Sequence, residues 1–426
     1  MEFLFKNINP VQIFFKNSFW LSLGQIVAKI FKFLLVIYAA RILGPNSWGS
    51  FQYVLSVASF FFLFSSFGMD YLIIRDWQQK KDYLTNYLST VIILRLVLII
   101  ISVLVAFTAN FLFENKIFKA VFLIAILFLA LDNFRDFLNS FLKAKQEGEK
   151  EFFTIFSEQF VVLISGIILL QLKPDIAFLA IAYLIGALIS CCLALKLSLQ
   201  GFTIIKKFKL NLKIALDYIK QGMPLTLYGL LGTIFFSSDQ ILLGKLKSTE
   251  EVGYYSIAAK IISFLISFYG IFLVVVLPYL AKKILDYDFK RVLKKITLGF
   301  LALSFLGFII GIISSFLVPF VFGFQYLKSV KILQVLSLLI LFLPLTMLFD
   351  NILFLLNKIW QNFFITSFVA LLNIILNFIL IPYLGVYGAA WATIISQIIN
   401  LIVTAILLLN CLKNFDKIKN RSLLIN

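Results

Sequence analysis

The chain has 426 residues, of which 62% are hydrophobic and 14% charged, with 38 Lys and Arg against 20 Asp and Glu. Its mean hydropathy of +1.02 excludes an ordinary soluble domain and marks a polytopic helical membrane protein. An outer-membrane barrel would show short alternating segments instead. The chain contains no histidine, which removes His-metal sites, Ser-His triads and His proton relays. Cys191, Cys192 and Cys411 have no ligand spacing and form no disulfide framework. The formal net charge of +18 would suggest nucleic-acid binding in a soluble protein. Here the charges fall mostly between apolar runs, so they are read as membrane topology.

In chain order, about twelve runs are long enough to span a bilayer. They are 17–41, 49–67, 87–109, 117–141, 152–170, 176–197, 219–243, 252–277, 292–320, 329–356, 363–381 and 388–409. The first run lacks a small-x-small cleavage site and is expected to remain as a span. The connecting segments are too short for a soluble domain. This predicts an all-α polytopic membrane protein. Its parts would be an N-terminal six-helix bundle over 1–200, a cytoplasmic linker over 201–218 and a C-terminal six-helix bundle over 219–426.

The first run is the most informative. Ser18, Ser22, Gln25, Lys29 and Lys32 follow the spacing of one helical face, while the rest is Phe, Leu, Ile and Val. A Lys near the middle of a membrane helix costs about 2.5–3.5 kcal/mol on the insertion scale. Water, an acidic partner or an anionic ligand must offset that cost. The expectation is that both ammonium groups face an internal cavity that receives an anion. Beyond this run, Gly44-Pro45 predicts a turn, since Pro fixes φ and Gly permits unusual values.

Basic residues at alternate ends of the runs set the orientation. About 24 lie on one side, Lys6, Lys145, Lys209 and Lys413 among them, against about 7 on the other, such as Lys173 and Lys247. The bias places both termini in the cytoplasm and requires an even number of spans.

A faint repeat relates 44–68 to 248–270, matching Gly49 to Gly253 and Phe51 to Tyr255. Six spans separate the two, as in parallel transporter repeats, and a binding site is expected between the halves. Polar stripes recur on the repeat-equivalent spans. The second span carries Gln52, Ser56, Ser59 and Ser66, and the seventh carries Thr226, Thr233, Ser237 and Gln240, next to Asp239. The eighth carries Ser256, Lys260 and Ser263. Small polar residues alone would be read as helix-packing contacts; the added charges argue for a site. Gly222, Pro224, Gly229 and Gly232 soften the start of the seventh span, a place where access could switch. Asp70, Asp132, Asp136, Glu158, Asp239 and Asp350 are the acids able to couple transport to an ion gradient. For each, a structural ion pair is the competing reading. Asp132 and Arg135 have the spacing of a pair along one helix. Asp70, Arg75 and Asp76, near a span end, are expected to be solvated.

Three ordered segments carry a family resemblance: ARILGPNSWG at 40–49, SSDQILLGKLKSTEEVGYYSIAAKI at 237–261 and NIILNFILIPYLGVYGAAWATIIS at 373–396. Together they resemble the oligosaccharide (O-antigen type) flippases of the multidrug/oligosaccharidyl-lipid/polysaccharide exporter superfamily. The resemblance implies two six-helix bundles around a central cavity, as in multidrug exporters of this fold (MATE-like), with alternating access. It implies an undecaprenyl-pyrophosphate-linked oligosaccharide as cargo, moved to the outer leaflet of the cytoplasmic membrane. It also implies a polysaccharide polymerase and glycosyltransferases as partners in the same synthesis. Lys29 and Lys32 lie where such flippases carry basic cavity residues, and Lys260 is a third cation on the equivalent stripe. With Gln25 and Ser22 they form the predicted substrate-binding set.

Other functions predict other residues. A multidrug or cation antiporter of the same fold needs an acidic, aromatic cavity, which Lys29 and Lys32 oppose. A lipid-linked peptidoglycan precursor flippase usually carries two additional spans. A membrane glycosyltransferase needs a long outward loop, whereas 172–175 and 383–387 are short. No GxxxxGK[ST] motif is present, so a transporter without ATP hydrolysis, catalytic centre, cofactor or metal is expected.

Overall fold

The computed structural model describes residues 10–79, 88–198, 211–283 and 289–423. These residues form thirteen α-helices and two short 3-10 turns, at Ala109–Leu112 and Phe324–Tyr326. Helix α1 (Pro10–Phe61) is followed by α2 (Met69–Gln79), α3 (Leu88–Thr108), α4 (Lys116–Ala144), α5 (Gly148–Leu172) and α6 (Ile176–Ser198). Then come α7 (Leu212–Leu246), α8 (Thr249–Lys283), α9 (Phe289–Phe322), α10 (Leu327–Ser337), α11 (Leu339–Leu355), α12 (Ile359–Leu384) and α13 (Val386–Leu423).

Among the described residues, eight helices are long and apolar enough to cross a membrane, or nine when α10 and α11, bent by 43°, count as one. The two arms of α1 and helix α7 carry the other three predicted runs. Helix α1 breaks at Gly44, whose φ of 73° and ψ of 170° lie outside helical space. An L-residue is strained at that φ, so glycine is required there, and Pro45 restarts the helix in its first turn. The second arm ends at Phe61. Residues 62–68 turn sharply, with positive φ at Phe67 (41°) and Gly68 (60°).

The chain divides into two compact units, Met1–Thr233 and Ile234–Asn426. The boundary falls inside α7, which is one continuous helix. The sequence-inferred linker over 201–218 lies outside the described residues as far as 210; from Leu212 onward the chain is helical.

In the first unit, α1 packs on α5, and α4 and α5 both pack on α6. Contact is close because small residues line it: a Cβ at Gly166 would lie 2.6 Å from Leu35 Cδ1. Met69, Leu72, Ile73, Phe137, Phe141 and Tyr218 build the core at one end of this unit. Helix α2 joins it through one apolar face. Its Asp76 is also buried, at 4% exposure, contrary to the expected solvation. Two partners explain this: Tyr218 Oη donates to Asp76 Oδ2 at 2.7 Å, and Arg75 lies 2.7 Å from Oδ1. The α4–α5 turn is held on three sides. Gln78 Nε2 donates to Ala144 O at 2.9 Å, Lys145 Nζ to Ser198 O at 2.7 Å, and Gly148 N to Asn17 Oδ1 at 3.0 Å.

In the second unit α12 packs on α13, and α11 packs on α9 and α13. Leu280, Phe300, Leu348, Ile352 and Leu353 form its main apolar cluster. The repeat-matched residues Phe51 and Tyr255 are each buried in their own unit, at 1% and 3% exposure.

Candidate binding and coupling sites

The first arm of α1 presents the predicted polar face. Ala28, Leu35 and Val36 turn inward, whereas Ser22, Gln25 and Lys32 are exposed and Lys29 is half-buried. Lys29 makes no ion pair or hydrogen bond among the described residues. Lys32 lies within electrostatic reach of Asp132 and Arg135 on α4. Two ammonium groups thus share one face of a helix that otherwise contacts apolar neighbours.

Helix α4 supplies the acids beside them. Arg135 is buried and is the centre of a cluster: Asp132 lies 3.4 Å away one turn earlier, Asp136 lies 2.8 Å away, and Glu158 reaches it from α5. The sequence-predicted pairing of Asp132 with Arg135 is present. A buried guanidinium surrounded by carboxylates needs all of its donors met, and the fork geometry of Arg meets several at once. Asp132, Asp136 and Glu158 thus each pair with Arg135.

Asp70 stands near a second buried arginine. Arg95 on α3 is 1% exposed. Its guanidinium donates to Ser65 O at 2.9 Å and Asn133 O at 2.6 Å, and lies 3.8 Å from Asp70. Phe137 covers it with ring centroid and Cζ 5.5 Å apart. Arg95 thereby ties the turn at 62–68 to α4.

In the second unit, Asp239 on α7 is 2% exposed and meets no basic residue among those described. It accepts hydrogen bonds from Tyr255 Oη of α8, Asn377 Nδ2 of α12 at 2.7 Å and Thr393 Oγ1 of α13 at 2.7 Å. Asn373 extends the node, accepting from Ser238 Oγ at 3.0 Å and from Asn377 Nδ2 at 3.1 Å. Asp350 on α11 also lacks a basic partner among the described residues; the Asn362 side chain bonds to it. Lys260 is half-buried on α8, in the second unit, while Lys29 and Lys32 belong to the first.

The predicted hinge residues differ from one another. Gly44 and Pro45 mark the break in α1. Gly222 is a close-approach glycine: a Cβ there would lie 1.7 Å from the carbonyl oxygen of Phe67. Gly229 and Gly232 have nothing within 4 Å of a Cβ. They lie just before the boundary between the units at Thr233, whose hydroxyl donates back to Gly229 O at 3.2 Å. Pro224 is within α7, and its side chain lies outside the described residues.

Sequence reasoning missed Tyr255, Asn373, Asn377, Thr393 and Gln397 as site residues. The signal was present as spacing. Asn373 and Asn377 are one turn apart within an apolar run, and Thr393, Gln397, Asn400 and Thr404 follow i, i+4, i+7, i+11.

Comparison with known proteins agrees with this architecture. No curated protein sequence matches the chain. Among solved structures, the lipid II flippase MurJ in an inward closed conformation superposes with a TM-score of 0.74 at 20% identity, covering 90% of this chain and 86% of that one. A multidrug resistance MATE family transporter of the MOP superfamily, inward-facing, gives 0.67 at 14% identity over 90% and 96% of the two chains. A MOP superfamily transporter from Pyrococcus furiosus gives 0.58 at 13% identity over 96% and 98%. These likenesses establish the fold as that of the MOP superfamily transporters. The family model described as polysaccharide biosynthesis protein matches residues 14–283, and the chain belongs to that family.

Proposed function

We propose that this protein is a flippase. Its cargo would be an undecaprenyl-pyrophosphate-linked oligosaccharide, a repeat unit of O-antigen or capsule type, carried from the inner to the outer leaflet of the cytoplasmic membrane by alternating access. The observation that carries this reading is Lys29. It is an ammonium group in a 52-residue apolar helix, with no counter-ion among the described residues and Lys32 one turn away. A pyrophosphate carries the charge that two such cations would hold away from bulk water. Membership in the polysaccharide biosynthesis family is consistent with a cargo of this class. Gln25 and Ser22, on the same face, are suited to hydrogen-bond phosphate or the first sugar. In this reading both termini are cytoplasmic.

An ion gradient is the proposed energy source. Of the six acids, Asp132, Asp136 and Glu158 serve Arg135, and Asp70 faces Arg95. Asp239 and Asp350 remain without a basic partner among the described residues, which favours them as coupling groups.

The test is complementation. Expression in a strain lacking its polysaccharide-unit flippase should restore surface polysaccharide. Rescue only of a strain lacking its lipid II flippase would overturn the assignment of cargo.

A further inference from the structure

The corner between α8 and α9 in the second unit gathers positive charge. Residues 282–295 include six basic ones, Lys282, Lys283, Lys290, Arg291, Lys294 and Lys295, against Asp286 and Asp288. The two helix ends are held side by side, because Leu280 of α8 and Phe289 and Leu293 of α9 bury into one apolar cluster. The charge bias of the chain puts this corner on the cytoplasmic side. That bias accounts for the side on which basic residues gather, not for the face they occupy.

Helix α9 separates its faces cleanly. Phe289, Leu293, Phe300, Ser304, Gly307 and Gly311 are buried. Leu298, Leu301, Phe305, Ile309, Ile313 and Phe316 are each at least 40% exposed, so in a membrane this face meets lipid chains. Followed toward the N-terminus, the same face becomes Lys290, Arg291, Lys294 and Lys295, all exposed. Lys294, Leu298, Leu301 and Phe305 stand in one i, i+4, i+7, i+11 row. The levels fit as well. From Leu298 to Phe316 the rise is about 27 Å, close to a hydrocarbon core of about 30 Å. From Lys290 to Lys295 it is about 7.5 Å, close to the depth of one headgroup layer. The cations therefore stand just beyond the chain-facing surface, at the level of lipid phosphates.

This arrangement is costly when empty. Lys282 and Lys283 are in the last turn of α8, where the helix dipole favours cations. The cations of α9 are in its first two turns, where the dipole opposes them, and its first turn holds no acidic residue. Lys282, Lys294 and Lys295 form no ion pair among the described residues. An anion in the headgroup layer offsets both the repulsion and the dipole. The surface below has room for a chain. Lys295, Gly299 and Ala302 form a neighbouring row, and a Cβ at Gly299 would meet nothing within 4 Å. Exposed Leu298 and Leu306 flank this shallow recess. Charge above and a recess in an apolar face below match an anionic lipid better than a soluble anion.

We infer that the corner of α8 and α9 binds an anionic phospholipid of the adjacent leaflet. Its phosphate is held among Lys282, Lys294 and Lys295, and an acyl chain lies along Leu298, Gly299 and Ala302. This lipid is a resident of the membrane and not the cargo, so the inference stands or falls separately from the assignment of substrate.

The experiment uses full-length protein purified in neutral detergent. It is offered phosphatidylglycerol or phosphatidylcholine with the same acyl chains. Bound lipid is counted by native mass spectrometry, and thermal unfolding is followed across each titration. Phosphatidylglycerol should be retained and should stabilise the protein, less so as salt screens the charges; phosphatidylcholine should do neither. One cation at such a surface is worth about fivefold, so the triple variant Lys282→Gln, Lys294→Gln, Lys295→Gln should raise the half-saturating concentration about tenfold or more. The remaining Lys283, Lys290 and Arg291 keep the orientation signal. Lys→Arg at the same three positions should keep binding. Gly299→Leu fills the recess at unchanged charge and should also lose retention; it decides the case if the triple variant does not fold. Lys116→Gln with Lys119→Gln, in the first turn of α4, should bind as wild type does. Equal retention of the two lipids by wild type would overturn the inference. So would wild-type retention in the folded triple variant or in Gly299→Leu, or an equal loss in the Lys116 and Lys119 variant. Stabilisation by inorganic phosphate equal to that by phosphatidylglycerol would overturn the assignment of a lipid.

Discussion

Gly222 of α7 lies directly on the backbone of Phe67, so close that a Cβ at 222 would stand 1.7 Å from the Phe67 carbonyl oxygen. No side-chain rotation relieves a clash between a Cβ and a main-chain carbonyl. Gly222→Ala must therefore move α7 away from the turn at 62–68, at a cost of at least about 1–3 kcal/mol. Gly229→Ala and Gly232→Ala meet nothing within 4 Å and gain helix propensity of about 1 kcal/mol each. Thermal unfolding of the three purified variants should show a lower midpoint for Gly222→Ala only. If α7 bends between the units, the other two, Gly229→Leu and Pro224→Ala also lower transport while remaining folded. Wild-type transport in all of them would leave these residues a packing role alone.

A second prediction concerns the ion cluster around Arg135. Removing the guanidinium with Arg135→Leu strands Glu158, which is buried at 6% exposure. Breaking one side of such a pair costs about 3–5 kcal/mol. Folded protein in the membrane should fall sharply. Adding Glu158→Gln removes the stranded charge, so the double variant should recover abundance relative to the single one. Equal loss in single and double variants would show that Arg135 acts by packing rather than by charge balance.

Much of the fold was legible because its determinants are local. Apolar run length located the helices, and Gly44-Pro45 marked the break in α1. The face carrying Ser22, Gln25, Lys29 and Lys32 follows from helical spacing. What sequence could not supply was pairing between distant segments. Asp76 looked solvated because it lies near a span end; Tyr218, 142 residues later, buries it. Asp239 looked like one acid among six. Its distinction comes from Asn377 and Thr393, which approach only when α7, α12 and α13 fold together. Arg95 is a charge within the apolar run 87–109, but its acceptors are the main-chain oxygens of Ser65 and Asn133, which no side-chain pattern announces.

The orientation inferred from charge makes a third prediction. Reporter fusions after Lys145 and after Lys209 should read as cytoplasmic, and a fusion after Lys247 as external. Lys145 is at the end of α4, and Lys247 follows α7. An external reading at Lys145 would reverse the topology and place both termini outside.

The final prediction tests the cationic face of α1. Lys29 and Lys32 would each contribute a charge-assisted contact of about 1.5–3 kcal/mol to a bound pyrophosphate, less the desolvation already present in the empty site. Before that deduction, loss of one such contact corresponds to about tenfold or more in affinity. Lys29→Ala should therefore reduce surface polysaccharide strongly in a flippase-null strain while membrane protein level stays near wild type. Lys29→Arg should be milder without being neutral, because a planar fork replaces a compact ammonium. Lys29→Glu should be the most severe, since it repels the phosphate. Lys32→Ala separates binding from structure. Its side chain is within reach of Asp132, so a structural role would lower protein level and be relieved by Asp132→Asn. A binding role would lower flipping at unchanged level and gain nothing from that second change. Full activity of Lys29→Ala at normal abundance would remove this residue from the site.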